Sequence, residues 1–280
     1  MLEVKIVTDS VADLPHEVAH KFGITVVPLN VLFGTEVYRD NIDLTADQFY
    51  ERLKISEIFP TTSAPTPAAY VEVYDKLAVE TDSILVITIT SKLSGTYDVA
   101  VQSRNLMKKQ CRVEVFDSQI ATMAQGFIAI KAAEAAKAGA SLEEVMEAAR
   151  QAFQRVDFLC TFDTLEYLRR GGRIGAAAAF LGSMLKINPL ITMKDGVVKP
   201  AGRTRSKAKA IDCLYEFVKS YSFIERLAVE NTACPEEAEM LIQRLGALFP
   251  VENIYRSKMT PVIGTHTGPG LLLVSVLGDK

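Results

Sequence analysis

Three short segments place hydroxyl side chains together just past apolar runs: Thr8-Asp9-Ser10, Thr61-Thr62-Ser63, and Thr90-Ser91 followed by Ser94-Gly95-Thr96. Hydroxyls and free backbone amides at a helix start form an anion site, and a glycine lets a ligand approach the backbone closely. In an open α/β sheet such loops lie beyond the carboxyl ends of the strands and can converge on one crevice. Each serine or threonine taken singly is more often a helix cap. The three loops taken together are a candidate for one shared ligand site.

The stretch SKLSGTYD, Ser91 to Asp98, is neither of the two sites it resembles at a glance. The phosphate loop G-x-x-x-x-G-K-[ST] is absent, with Lys92 ahead of the Ser-Gly pair. The hydrolase elbow G-x-S-x-G is absent too, because Lys92 stands where its first glycine belongs. A nucleophilic Ser94 with His266 as its base is the enzyme alternative, since such partners are recognised by geometry rather than by chain order. His266 lies in GTHTGPG, read as a rigid turn-rich loop before the last strand.

Two further patterns carry charge or potential metal ligands. HEVAH, His16 to His20, matches the zinc-protease pattern H-E-x-x-H, but it opens a short helix after Pro15, and His266 is the one other histidine. It reads as a solvated helix face, so no metal is expected. LEYLRRGGRIG sets Arg169, Arg170 and Arg173 around a glycine pair, where a turn would present cations to a carboxylate, a phosphate or an acidic protein surface. Arg203 and Arg205 could extend that basic surface, and the competing reading is solvated charge at a helix C-terminus.

The composition narrows the function classes. At 280 residues and 49% hydrophobic, the chain can bury a substantial core. A formal net charge of −3 gives no basic field for extended nucleic-acid binding. Cys111, Cys160, Cys213 and Cys234 are scattered without a C-x-x-C pair, which reads as reduced interior thiols rather than a zinc or redox site. Charges at Glu3 and Lys5 interrupt the N-terminal apolar stretch, and no apolar run approaches the roughly 18 residues of a membrane span. A cytoplasmic location without membrane insertion is the expectation.

These residues must be positioned by an alternation of β-branched runs and helical segments, which predicts an α/β fold with a mostly parallel sheet in the first half. The expected strands are Val4 to Thr8, Ile24 to Phe33, Ile84 to Ile89 and Val113 to Phe116. Asp13 with Pro15, Thr45 with Gln48, Thr66 with Pro67, and Ser141 with Glu144 are helix starts, and Gly23 closes the first. Later, KINPLITM and VVKPAGR flank Lys194-Asp195-Gly196 as a hairpin. Helices follow at Lys207 to Ser220 and Pro235 to Leu245, and GLLLVSVL is a closing strand. A boundary near residue 158 divides an N-terminal α/β domain, 1–158, carrying the hydroxyl loops, from a C-terminal α+β domain, 159–280, with a mainly antiparallel sheet.

In order, VKIVTDSVADLP, FPTTSAPTP, ITITSKLSGTYDVA, EYLRRGGRIG, INPLITMKDGVV and THTGPG resemble the DegV family of bacterial fatty-acid-binding proteins, over essentially the whole chain. The resemblance implies two domains with a long-chain fatty acid buried between or within them, in a lipid carrier without cofactor or catalysis of its own. By motif, Thr62, Ser63, Ser94, Gly95 and Thr96 would meet the carboxylate, with His266 in the network. Arg170, Arg173 and Arg203 would lie at the pocket mouth or docking face. A separate fatty acid kinase would phosphorylate the presented carboxylate to an acyl phosphate for phospholipid synthesis. The chain departs from the family's pattern at Ala64, where glutamine is common, and at Asn188, where lysine is common.

Physical chemistry is compatible with that implication. A buried carboxylate needs donors to offset its lost hydration, and each buried CH2 of a tail contributes about 0.8 kcal/mol. AAAAFLGSML, Ala176 to Leu185, with Phe22, Phe33 and Phe49, is candidate wall material. Besides the ester hydrolase working through Ser94 and His266, a small-molecule kinase domain related by fold is a third, weaker reading, disfavoured by the missing phosphate loop and metal carboxylates.

Overall fold

The computed structural model describes residues 2–280, except the side chains of residues 182–186. Its strands are β1 Lys5–Asp9, β2 Ile24–Val27, β3 Asn30–Phe33, β4 Glu36–Arg39, β5 Thr61–Ser63, β6 Ser83–Thr88, β7 Arg112–Asp117, β8 Val156–Thr161, β9 Asn188–Lys194, β10 Val197–Thr204, β11 Phe223–Asn231, β12 Ile254–Lys258 and β13 Leu272–Asp279. Its α-helices are α1 His16–Phe22, α2 Ala46–Ile55, α3 Pro67–Leu77, α4 Thr96–Ser103, α5 Thr122–Lys137, α6 Leu142–Arg155, α7 Glu166–Arg170, α8 Lys207–Lys219, α9 Pro235–Leu245 and α10 Pro261–Thr267.

The fold is the expected mixed α/β type. One sheet, β2-β1-β6-β7, is parallel throughout. A second, β10-β9-β8-β13-β11-β12, is antiparallel except where β12 joins β11. Residue 158, the expected boundary, falls within β8, and β8 pairs with β9 and β13 of this second sheet.

A third sheet, β4-β3-β5, is one the sequence reading missed. It arises because the single strand expected over Ile24 to Phe33 is two strands. Pro28 has no N–H to give to a ladder, so the chain leaves the parallel sheet after Val27 and re-enters an antiparallel one at Asn30. The other local signals act as their chemistry requires. Thr45 and Gln48, and Ser141 and Glu144, form reciprocal capping boxes. Gly23 closes α1 in the left-handed conformation. Asp195 and Gly196, both at positive φ, make the two-residue turn between β9 and β10. Of THTGPG, expected as a loop, Thr265 to Thr267 instead end α10, which Pro261 opens at the first helical position, and Gly268-Pro269-Gly270 form the turn before β13.

Helix α5 organises the interior. It is buried almost all round and lies between the parallel sheet and the six-stranded one, touching β1 on one side and β8 and β13 on the other. Its small residues, Ala129, Ala132, Ala133 and Ala136, let both sheets approach, while Met123, Phe127, Ile128 and Ile130 fill the space between. The outer face of the parallel sheet is covered by a cluster that includes Tyr70 and Tyr74 of α3 and Ala100 of α4. The far face of the six-stranded sheet is covered by α8 and α9 through Leu214, Val218, Leu241 and Leu245.

The start of α5 is tied to both sheets by polar groups. Gln125 donates through Nε2 to Thr8 Oγ1 at 3.0 Å and Asp9 Oδ1 at 3.1 Å, both of the parallel sheet. From the other side, Glu230 Oε2 of β11 accepts the Met123 N–H at 3.0 Å, and its Oε1 accepts the Ser275 hydroxyl at 2.6 Å. A carboxylate facing a helix N-terminus is favoured by the exposed N–H groups there. Burial nonetheless dominates: it pushes the Glu230 carboxyl up to about 7 and those of Asp9 and Asp40 up to about 6.

Those three acids hold protons more tightly folded than unfolded, so their contribution to stability grows as pH falls from 8 through about 6. The urea midpoint should therefore rise from pH 8 to pH 6.5, and Glu230→Gln should shrink that rise. A midpoint that falls over the same interval in the native protein would contradict the assignment.

Candidate functional site

A cavity of about 940 Å³, counted to its open mouth, lies at the N-terminal end of α5, where Ala121 and Thr122 form part of its lining. The loops that follow strands of the parallel sheet, the six-stranded sheet and the three-stranded layer all contribute wall. Val11, Leu29, Ile89, Val262 and Ile263 come from the N-terminal loops and α10, and Phe158, Cys160, Ile191, Leu271 and Leu273 come from the six-stranded sheet and its edge. The apolar lining far exceeds the polar, the character of a pocket for an apolar ligand body.

The polar lining includes Thr62, Ser63, Ser94, Gly95, Arg173 and His266. β5 carries Thr62 and Ser63, the loop before α4 carries Ser94 and Gly95, α10 carries His266, and Arg173 follows α7. Thr62 Oγ1 lies 2.8 Å from His266 Nε2, joining the three-stranded sheet to α10. Arg173 donates from Nε to Leu93 O at 3.2 Å and from Nη1 to Gly171 O at 2.6 Å, so it joins the Ser94 loop to the end of α7. A side-chain carbon added at Gly95 would meet nothing within 4 Å, so the backbone there faces open space. At Gly171 the same carbon would lie 2.3 Å from His266 Nδ1, so only glycine allows α7 and α10 this approach.

Burial, with the Arg173 charge a lesser cause, holds the His266 imidazole down to about 4 from its ordinary 6.5. The ring is neutral at physiological pH. Its Nδ1 has no hydrogen-bond partner among the described residues. Among the described residues the site therefore offers hydroxyls, an amide region, a neutral ring and one guanidinium, and no carboxylate lines it.

The hydroxyl loops divide into those that reach the cavity and those that do not. Thr96 is buried behind it, with Oγ1 2.8 Å from Ser94 Oγ, and its N–H donates to the same oxygen at 3.3 Å. It positions Ser94 rather than lining the cavity. Thr90 donates to Gly196 O, and Ser91 donates to Asp117, so both are spent on loop structure. Thr8-Asp9-Ser10 does not join the site: Asp9 and Ser10 face a different cavity, and Thr8 donates to Ile87 O. Ser94 makes no hydrogen bond with His266, whose Nε2 pairs with Thr62 instead.

Among the arginines, only Arg173 lines the cavity. Arg170 is exposed nearby on α7, its guanidinium carbon 3.9 Å from the Phe59 ring centroid. Arg203 is exposed on β10 and lies outside the cavity lining. His16 and His20 are exposed on α1, and no cluster of His, Cys, Asp or Glu among the described residues could hold a metal.

The expected aromatic walls are corrected. Phe33 and Phe49 pack in the core under the three-stranded sheet, and Phe22 packs partly buried against the core around α5. Of Ala176 to Leu185, Ala177 is buried in that core, and the side chains of Gly182 to Leu185 lie outside the described residues. Sequence reading missed Thr122, a threonine at φ 62° beside the Glu230 carboxyl, and nothing in SQIATMAQ signals it. It also missed Ile263 and Thr267, which a helical reading of PVIGTHT would have set near His266.

The family model described as uncharacterised protein, DegV family, matches residues 3–279, and the chain belongs to the DegV family. It is 36% identical to Protein DegV of Bacillus subtilis over 97% of this chain and 98% of that one. The solved structure of that Bacillus protein, described as a fatty acid binding protein, matches with a TM-score of 0.90 and full coverage of both chains. A Thermus thermophilus DegV family structure described by its fatty acid binding is 32% identical, with a TM-score of 0.90 over 99% of this chain and 100% of that one. A stearic-acid-binding protein of Eubacterium ventriosum is 27% identical, with a TM-score of 0.86 over 98% of each chain.

Because its folded value lies below the unfolded one, the His266 ring contributes stability that is present above about 6.5 and is lost as pH falls from there towards 4. In NMR titrations the His266 ring carbon signals should stay fixed from pH 8 to 5.5 and move only near pH 4. A midpoint near 6.5 would show an open, solvated ring.

Proposed function

We propose that this chain binds one long-chain fatty acid in the cavity at the start of α5. The observation that carries the reading is the separation of chemistry within one cavity: extensive apolar wall, with neutral donors and a single arginine meeting at Thr62, Ser94, Gly95, His266 and Arg173. Neutral donors hold a carboxylate without demanding that a second buried charge be paid for in lost hydration, and Arg173 adds the one cation. The fatty acid binding described for the Bacillus, Thermus and Eubacterium proteins supports the same ligand class.

In this reading the Thr62 hydroxyl accepts from or donates to His266 according to the ring's tautomer, and with Ser63, Ser94 and the Gly95 amide it turns donors to the carboxylate. Thr96 fixes Ser94. The tail runs along Ile89, Phe158, Leu168, Ile191 and Leu273. Residues 1–158 supply most of the carboxylate loops, and residues 159–280 complete the lipid wall. The chain would present the carboxylate to a fatty acid kinase, with Arg170, Arg173 and Arg203 as the basic docking side, and act without a cofactor in the cytoplasm. No helix among the described residues is long and apolar enough to cross a membrane, which is compatible with that carrier role.

Native mass spectrometry of the gently purified protein should find a retained fatty acid, and delipidated protein should rebind oleate. Ser94→Ala and Thr62→Val should each weaken oleate by roughly 10- to 100-fold, the worth of a hydrogen bond to a charged group. Failure to bind any fatty acid would end the carrier reading. Stoichiometric fluorophosphonate labelling of Ser94, with ester turnover lost in Ser94→Ala, would replace it with the hydrolase alternative.

A further inference from the structure

Four carboxyls, those of Asp9, Asp13, Asp40 and Glu230, are each on residues 2% exposed or less. Among the described residues none of the four pairs with a lysine or arginine. Asp9 and Asp40 line a second cavity, between α1, β2 and the segment after β4, whereas Asp13 and Glu230 line neither cavity. A buried carboxyl without a cation beside it is held by neutral donors or takes a proton.

Glu230 stands directly behind the wall of the main cavity. Residues paired across adjacent strands share one face of the sheet, with Cβ atoms about 5 Å apart. The register sets Ile191, Cys160, Leu273, Glu230 and Ser257 in one row across β9, β8, β13, β11 and β12, and the first three line the cavity. The start of α5 covers Glu230. There the Met123 N–H donates to its Oε2, and Thr122, whose hydroxyl lies against the same carboxyl, lines the cavity. Thr122 is held at φ 62°, a conformation that a β-branched residue rarely adopts.

At the end of the row the Ser257 hydroxyl donates to Asp13 O at 2.6 Å, and the Thr260 N–H donates to Asp13 Oδ1 at 2.9 Å, which brings the second acid to the first. The other groups near the pair are Ser275 of β13, Cys160 of β8, Asp40 and Tyr50 of α2. Farther along the same face of β11, Arg226 is engaged by Glu134 of α5 and Tyr255 of β12. Burial pushes the Glu230 carboxyl up to about 7, and burial followed by the Glu230 charge holds Asp13 well above the ordinary carboxylate range.

We propose that Glu230, with Asp13 beside it, takes up a proton when the main cavity fills, which makes fatty acid binding tighter as pH falls through neutrality. The inference rests on the fatty acid reading of that cavity. An acyl chain replaces solvent one strand away from Glu230, and its carboxylate adds a negative charge. Both disfavour the ionised acid, so proton and ligand each raise the affinity for the other.

Calorimetric titration of the delipidated full chain with myristate at pH 7.5, repeated in buffers of different ionisation enthalpy, counts the protons. A tenfold gain in the proton affinity of Glu230 corresponds to about half a proton taken up per myristate, and to myristate bound about fivefold more tightly at pH 6.5 than at pH 8.5. In Glu230→Gln, which keeps an acceptor for the Met123 N–H, uptake should fall to near zero and affinity should be the same at both pH values. Asp13→Asn removes the neighbouring charge and should move the greatest uptake to lower pH, a second variant should Glu230→Gln fail to fold. Binding without proton uptake would overturn the proposal, and so would an unshifted profile in Asp13→Asn. Uptake as large in Glu230→Gln as in the native protein would also overturn it, by assigning the proton to His266 or to the ligand. No myristate binding at any pH would end the carrier reading itself and this inference with it.

Discussion

Helix α5 is packed between two sheets, and that position constrains nearly every residue on it. A helix with solvent on one side can carry charge there, whereas α5 must be apolar or small around most of its circumference. Burying Met123, Phe127, Ile128 and Ile130 contributes about 2 kcal/mol each, and the alanines between them set how closely the sheets approach. The polar exceptions, Gln125 and the N–H of Met123, are bonded to Thr8 and Asp9 of one sheet and Glu230 of the other. Through them the start of α5 is fixed relative to both sheets.

The main cavity follows from that arrangement. It opens at the N-terminal end of α5, and the wall there is completed by β5, α10 and the Ser94 loop. The polar contacts around it run between elements distant in sequence: Thr62 to His266, and Arg173 to Leu93. Ser94 is held by its own neighbour Thr96. Burial keeps His266 neutral, and glycine at position 171 gives the ring room. Within this site, His266 Nε2 is paired with Thr62 and Ser94 Oγ with Thr96, so the ring and the serine do not meet.

The two cavities differ in electrostatic character although one sheet's loops serve both. Val11 and Ile89 face the first, and Asp9 and Ser10, in the same loop as Val11, face the second. Among the described residues the buried acids Asp9 and Asp40 line the second, whereas buried Asp13 and Glu230 line neither. A cavity lining free of carboxylates would not repel the anionic ligand proposed above, a repulsion that is strong in a buried setting.

Local chemistry was legible in the sequence wherever it is short-range. Capping boxes at Thr45 and Ser141, the Asp195-Gly196 turn, Gly23 and Pro235 specify their own backbone, because the interacting atoms lie within a few residues of one another. The parallel sheet, the later antiparallel one, and Thr62, Ser63, Ser94, Gly95 and His266 as cavity residues were likewise readable from pattern and resemblance. Folding alone decided that Pro28 splits one apolar run between two sheets, that Thr8-Asp9-Ser10 turns away from Ser94, and that Thr96 supports the site without lining it. It also placed Phe33 and Phe49 in core rather than cavity wall. An apolar or hydroxyl side chain carries the same local signature in either place. Which one it occupies depends on how elements far apart in sequence pack, and here the burial of α5 between two sheets settled it.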